Sequence, residues 1–198
     1  MSFNKSNARG AAFILLALVA GAAQAHPGHG EEGFVSGLVH PFMGLDHLLA
    51  MVAVGTWSCI AMPGAKRVVG PLVFLAFLAA GALLAPVVSI SMASVEMGVA
   101  LSVALFGALM LLGRNLNSLA GLFIVGSAAF LHGVAHGNDL LTGEPAMAMI
   151  GGMLLGSALL HGAGYAVGTQ LLNAPRWVNR AMAAGLGVSG LALLVTRF

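Results

Sequence analysis

From residue 34 to residue 196 the chain is a succession of apolar runs, each long enough to cross a bilayer and parted by short polar or Pro/Gly-rich breaks. Few folds remain open to such a chain. Backbone N–H and C=O groups find no water in hydrocarbon, so they must be satisfied internally, in helices or in a closed barrel. A helix crosses with about 20 residues, whereas a barrel strand uses about 10 of alternating polarity. The runs here are long and do not alternate, which selects helices. Composition agrees: 59% of the 198 residues are hydrophobic and 7% are charged, with mean hydropathy +0.98. A soluble domain carries about 25% charged residues. The expected fold class is all-α, a polytopic membrane protein.

The first residues read as a targeting segment. Lys5 and Arg9 precede the apolar run 11–20, and Ala23-Gln24-Ala25 follows. A basic start, an apolar centre and an A-x-A end make a cleavable secretory signal peptide, here residues 1–25. The alternative is an uncleaved first helix. Cleavage after Ala25 leaves 26–33 as a short outward-facing segment, opening with His26-Pro27-Gly28-His29. A free α-amine and an imidazole on His26, with His29 close by, can chelate a borderline cation. The segment is read as a capture site for incoming metal, against the plainer reading of a polar stub.

Residues 34–198 then form a six-helix membrane domain, with spans expected at 34–62, 69–88, 93–112, 118–136, 146–172 and 178–196. The breaks carry Pro63-Gly64, Pro86, Gly113 to Asn117, Gly143 to Pro145 and Asn173 to Pro175. Lys66 and Arg67 follow the first span, Arg114 the third, and Arg176 and Arg180 the fifth; the alternate loops have no Lys or Arg. The positive-inside rule therefore puts the odd-numbered loops in the cytoplasm and both mature termini outside. The net charge of +2 is spread thinly along the chain, with no basic patch that would suggest nucleic acid. Cys59 is the lone cysteine, which excludes an intrachain disulfide, and it is expected to pack as a small apolar residue. Three Gly-x-x-x-Gly strings, at 133/137, 152/156 and 164/168, suit close helix packing. They leave the oligomeric state open.

Against this background the ionisable residues stand out. One such group in a membrane helix costs about 2.5 kcal/mol or more on insertion scales, so each is a functional-site candidate. His40 and His47, in HPFMGLDH, are seven residues apart and share a helix face. Asp46 is turned from His47 in a regular helix, and can either ligate or brace an imidazole. Pro41 and Gly44 favour a bend or an unwound stretch there. Met51, one turn on, reads mainly as packing. His132 and His136, in HGVAHG, are spaced i, i+4, which suits one ion but also a hydrated helix end. Glu96 near the outer start of the third span has the same two readings. His161 lies near the middle of the fifth span. By depth, Glu96, His132, His136 and His40 fall in the outer half, with Asp46, His47 and His161 deeper.

Together HPFMGLDH, Met51, Gly55, Glu96 and HGVAHG resemble the HupE/UreJ family of bacterial nickel/cobalt permeases. The resemblance covers essentially the whole chain, and the signature H-P-x-x-G-x-D-H is met at His40, Pro41, Gly44, Asp46 and His47. It implies secondary uptake of Ni²⁺ or Co²⁺ with no tightly bound cofactor, and a link to hydrogenase or urease maturation. No nucleotide-binding motif is present. The metal-site residues are then His40, Asp46, His47, Glu96, His132, His136 and His161, and the protein is not an enzyme. Two other classes fit the same residues: a membrane-embedded metal-dependent hydrolase, with Asp46 or Glu96 handling protons, and a non-transporting metal sensor or storage protein. Gly187-Val188-Ser189-Gly190 also fits a rhomboid-type G-x-S-G string, but its helix has no histidine to act as base.

Overall fold

The computed structural model describes residues 33–142 and 146–197, without the side chains of 114, 138–142 and 197. The proposed signal peptide and the capture segment with His26 and His29 lie outside the described residues. Among these there are seven α-helices and no strand. They are α1 (Phe34–Met43), α2 (Leu45–Ala61), α3 (Val69–Leu84), α4 (Met92–Leu112), α5 (Ser118–Thr142), α6 (Ala146–Leu171) and α7 (Arg176–Arg197).

Five stretches are long and apolar enough to cross a membrane, and α1 with α2 pass the same test only as a pair bent by 86°. The first expected span is thus two helices. Its break falls at Gly44, which is extended at φ −103° and ψ 123°. Pro41 lies inside α1, near its end. It has no N–H to bond the preceding turn, which weakens the helix just before the break. At ten residues, α1 is about 15 Å long and cannot span the roughly 30 Å hydrocarbon core alone.

Helix ends are fixed locally. Ser91 Oγ accepts the Ser94 N–H at 3.2 Å at the start of α4, and Asn117 Oδ1 accepts the Leu119 N–H at 2.8 Å at the start of α5. The chain leaves α4 through Gly113 at φ +52°, a left-handed conformation that suits glycine.

The most extensive helix contacts are α3 with α5, α4 with α7, and α6 with both α1 and α2. α2 is the most enclosed helix, with Ala50, Met51, Ala53, Val54 and Trp57 all buried. Glycine is what lets it lie so close to α6. A Cβ on Gly55 would overlap the His161 carbonyl, and one on Gly164 the Val52 carbonyl. The Thr56 hydroxyl lies 2.9 Å from Gly164 O, adding a polar tie between these helices. The three Gly-x-x-x-Gly strings all serve contacts within the chain: 133/137 against α3, 152/156 against α1, and 164/168 against α2. The rhomboid-like string is likewise packing, with Gly190 against the Ala104 backbone. Cys59 is buried beside Gly168, as its small apolar character suggests. Val52 faces Gly164 and Thr56 faces Gly168, so α2 and α6 run in the same direction. Large apolar side chains such as Leu119, Phe123 and Val195 point outward, as they must toward lipid.

Candidate metal site

The 86° turn at Gly44 brings His40, near the end of α1, and His47, in the first turn of α2, onto one cleft. The cleft has a volume of about 480 Å³. Asp46, Glu96 from α4 and His136 from α5 share its walls. Five of the residues picked out in the sequence therefore meet from four helices. His132 and His161 lie beneath them in the packed interior, 0% and 2% exposed.

Asp46 does not point away from His47, as a regular helix would have it. Its Oδ1 accepts both the His47 backbone N–H at 2.8 Å and the Nδ1–H of the ring at 2.9 Å. The cause is position: the first amides of a helix lack intrahelical acceptors, so a carboxylate there folds back onto them. The same fold sets the ring's tautomer. With Nδ1–H given to Asp46, the lone pair of His47 is on Nε2. Gly44 makes room for this, because a Cβ there would stand 2.7 Å from Asp46 Oδ1 and 3.0 Å from His47 Nδ1.

His47 Nε2 faces His136 Nε2 at 2.7 Å. Two imidazole nitrogens bound side by side at about 2.0–2.1 Å from one ion stand about 2.9 Å apart. The pair is thus a few tenths of an ångström from a two-ligand bite. With the His47 lone pair on Nε2, it is the His136 Nε2–H that donates across this contact. His40 packs against His136 with ring centroids 4.4 Å apart, and Glu96 is exposed at the mouth of the cleft. Among the described residues no three His, Cys, Asp or Glu side chains already surround one point.

The depth order differs from the sequence expectation. His47 and His136 lie at one level, and His132, one turn earlier on α5, packs below them with its ring 4.7 Å from that of His47. Neither α5 histidine sits at a hydrated helix end, because α5 continues to Thr142. Ser102 Oγ donates to Val99 O at 2.6 Å and accepts from His132 Nε2 at 3.0 Å, which leaves the His132 lone pair on Nδ1. Phe74, fully buried on α3, packs between His132 and His161, at centroid distances of 5.7 and 4.9 Å. The His161 carbonyl lies beside Gly55, eight residues or about 12 Å along α2 from His47. His161 Nδ1–H donates to Ser157 O at 2.7 Å, and its buried Nε2 has no hydrogen-bond partner. His40, His136, His47, His132, Phe74 and His161 form one continuous column of rings.

Ser102 and Phe74 were not anticipated from sequence. Serine in an apolar run and one phenylalanine among ten carry no local signal of such contacts. Met51 is buried in the core, consistent with packing.

Fold and site define a polytopic, all-helical membrane protein whose interior carries a column of imidazoles. Comparison with known proteins narrows that class. Residues 14–193 match the family described as HupE / UreJ protein. Protein HupE of Rhizobium leguminosarum bv. viciae is 35% identical over 175 residues, covering 87% of this chain and 90% of that protein. No solved structure matches. The chain belongs to the HupE/UreJ family, whose members are associated with nickel and cobalt uptake and with nickel supply to hydrogenase and urease; they are transporters, not enzymes.

Proposed function

We propose that this protein carries a divalent transition-metal ion, Ni²⁺ with Co²⁺ as an alternative substrate, inward across the bacterial inner membrane through the histidine column. The observation that carries this reading is the convergence of His47 Nε2 and His136 Nε2, from helices far apart in sequence, at 2.7 Å. Asp46 supports it by holding His47 with its lone pair facing His136. Asp46 is then a positioning residue rather than a ligand, and His40 and Glu96 complete the shell by small movements.

An incomplete shell suits transport. A permease must release its ion, so a pair of strong donors with movable additional ligands serves better than a closed cage. Imidazole suits nickel, cobalt, zinc and copper alike, and the choice among them comes from geometry and availability. His132 and His161 provide further lone pairs along the way down. The apolar Phe74 ring between them closes the column to a hydrated ion. The loops bearing Lys66, Arg67, Arg176 and Arg180 face the cytoplasm in this reading, with both mature termini outside. His26 and His29 collect ions at the outer surface, and the ion delivered inside feeds hydrogenase or urease maturation.

The test is accumulation of labelled nickel in proteoliposomes of the purified protein, with cobalt and zinc as competitors, with and without a proton gradient. Uptake by the wild type and none by His47→Ala, at equal incorporation, is expected. Normal uptake by His47→Ala would refute the site. Binding without accumulation would instead make the protein a sensor or store.

A further inference from the structure

A second cavity lies at the opposite end of the bundle from the histidine cleft. Its volume is about 640 Å³, and it is lined at the ends of α2, α4 and α6 and the start of α7. Its polar wall is Arg176, Arg180, Asn115 and Asn179; Leu111 and Leu172 are among its apolar lining. Arg176 and Arg180 are one turn apart on α7, so both guanidinium groups serve one side of the cavity.

Among the described residues no carboxylate neutralises them. The six acids of the chain are Glu31, Glu32, Asp46, Glu96, Asp139 and Glu144. Asp46 and Glu96, the acids whose side chains the structure describes, line the cleft at the other end and not this cavity. Asp46 is already paired with His47 at that other end. Two arginines with no described carboxylate between them, beside apolar walls that continue into lipid-facing leucines, match an anion that carries acyl chains. Asn179 adds a finer requirement. Its Nδ2–H donates to Leu171 O at 3.3 Å, while its Oδ1 is buried with no hydrogen-bond partner. An acceptor left without a donor in a pocket is costly, and a ligand hydroxyl would satisfy it.

We infer that this cavity binds the headgroup of an anionic phospholipid, with Arg176 and Arg180 on the phosphate, Asn179 accepting from a headgroup hydroxyl, and acyl chains along Leu111 and Leu172. Phosphate matches the planar guanidinium fork, which gives paired hydrogen bonds that a lysine does not. Basic pockets between helices at the cytoplasmic surface are the usual setting for such lipids. The site binds α2, α4, α6 and α7 together at their inner ends and is independent of the metal chemistry.

The test uses the purified full-length chain in neutral detergent, with phosphatidylglycerol, phosphatidylcholine or inorganic phosphate added. Readouts are the unfolding temperature and the phospholipid retained per chain. Phosphatidylglycerol should raise the unfolding temperature and be retained at about one per chain, while phosphatidylcholine and inorganic phosphate should not. Arg176→Gln with Arg180→Gln should bind phosphatidylglycerol about 30-fold more weakly, at about tenfold or less per arginine. Lys66→Gln with Arg67→Gln, which removes equal charge at the same end, should retain it. If the first pair fails to fold, Arg180→Lys keeps the charge, and weakened retention in that variant is the expected result. Equal effects of the two lipids, equal loss in both charge variants, or a full response to inorganic phosphate alone would each overturn the assignment.

Discussion

At the scale of single residues, the account rests on which nitrogen of each imidazole is tied by a hydrogen bond. His47 is tied through Nδ1 to Asp46, His132 through Nε2 to Ser102, and His161 through Nδ1 to Ser157 O. Asp46→Ala should therefore lower apparent nickel affinity by about 10–100-fold, the usual cost of losing such a partner, with the protein still in the membrane. A rise in KM for uptake checks this, and an unchanged KM would contradict the bracing role. Gly44→Ala should do similar damage, because its methyl group crowds Asp46 and His47. Gly162→Ala, beside His161 but facing open space, should be neutral in the same assay. The histidines themselves were legible because ionisable groups are rare in apolar runs. The Asp46–His47 contact was not, because helical geometry separates neighbours by about 100° and only the free amides of a helix start reverse that. Ser102 was illegible for another reason: its partner lies 30 residues away.

At the scale of elements, the broken first span is what makes the cleft. Pro41 and Gly44 announced a bend, yet the angle of 86° depends on α6, on which both α1 and α2 pack. α5 shows a second gap between pattern and structure. Asn138 and Asp139 interrupt its apolar run, but the helix runs on to Thr142, so the sequence pattern ended it early and left His136 looking hydrated. The α2–α6 contact is the most exposed to test. Gly55→Leu would drive a side chain into the α6 backbone at His161 and should cost about 1–3 kcal/mol of stability, as overpacking does. Thermal unfolding in detergent measures it, with Gly185→Leu as a control at a position with open space. His161→Ala probes the lower column. It should leave nickel binding intact and slow accumulation, whereas loss of binding would place His161 in the outer site.

At the scale of the whole molecule, charge and ligands are segregated: the histidine cleft is at one end and the arginine-lined cavity at the other. The proposed topology is open to labelling, because Cys59 is the only cysteine and is buried. In intact cells an impermeant thiol reagent should reach Ser91→Cys but reach Lys66→Cys only after lysis; the reverse pattern would invert the transport direction. The all-helical, multi-pass character was legible in the sequence because it depends on composition alone. The meeting of HPFMGLDH with HGVAHG was not, since it depends on how α2 and α5 lie about their neighbours. That meeting is the central claim. Nickel K-edge X-ray absorption on the metal-loaded protein tests it most directly. Imidazole scattering at about 2.0–2.1 Å should be seen in the wild type and fall by one ligand in each of His47→Ala and His136→Ala. A nickel shell unchanged by both substitutions would contradict it.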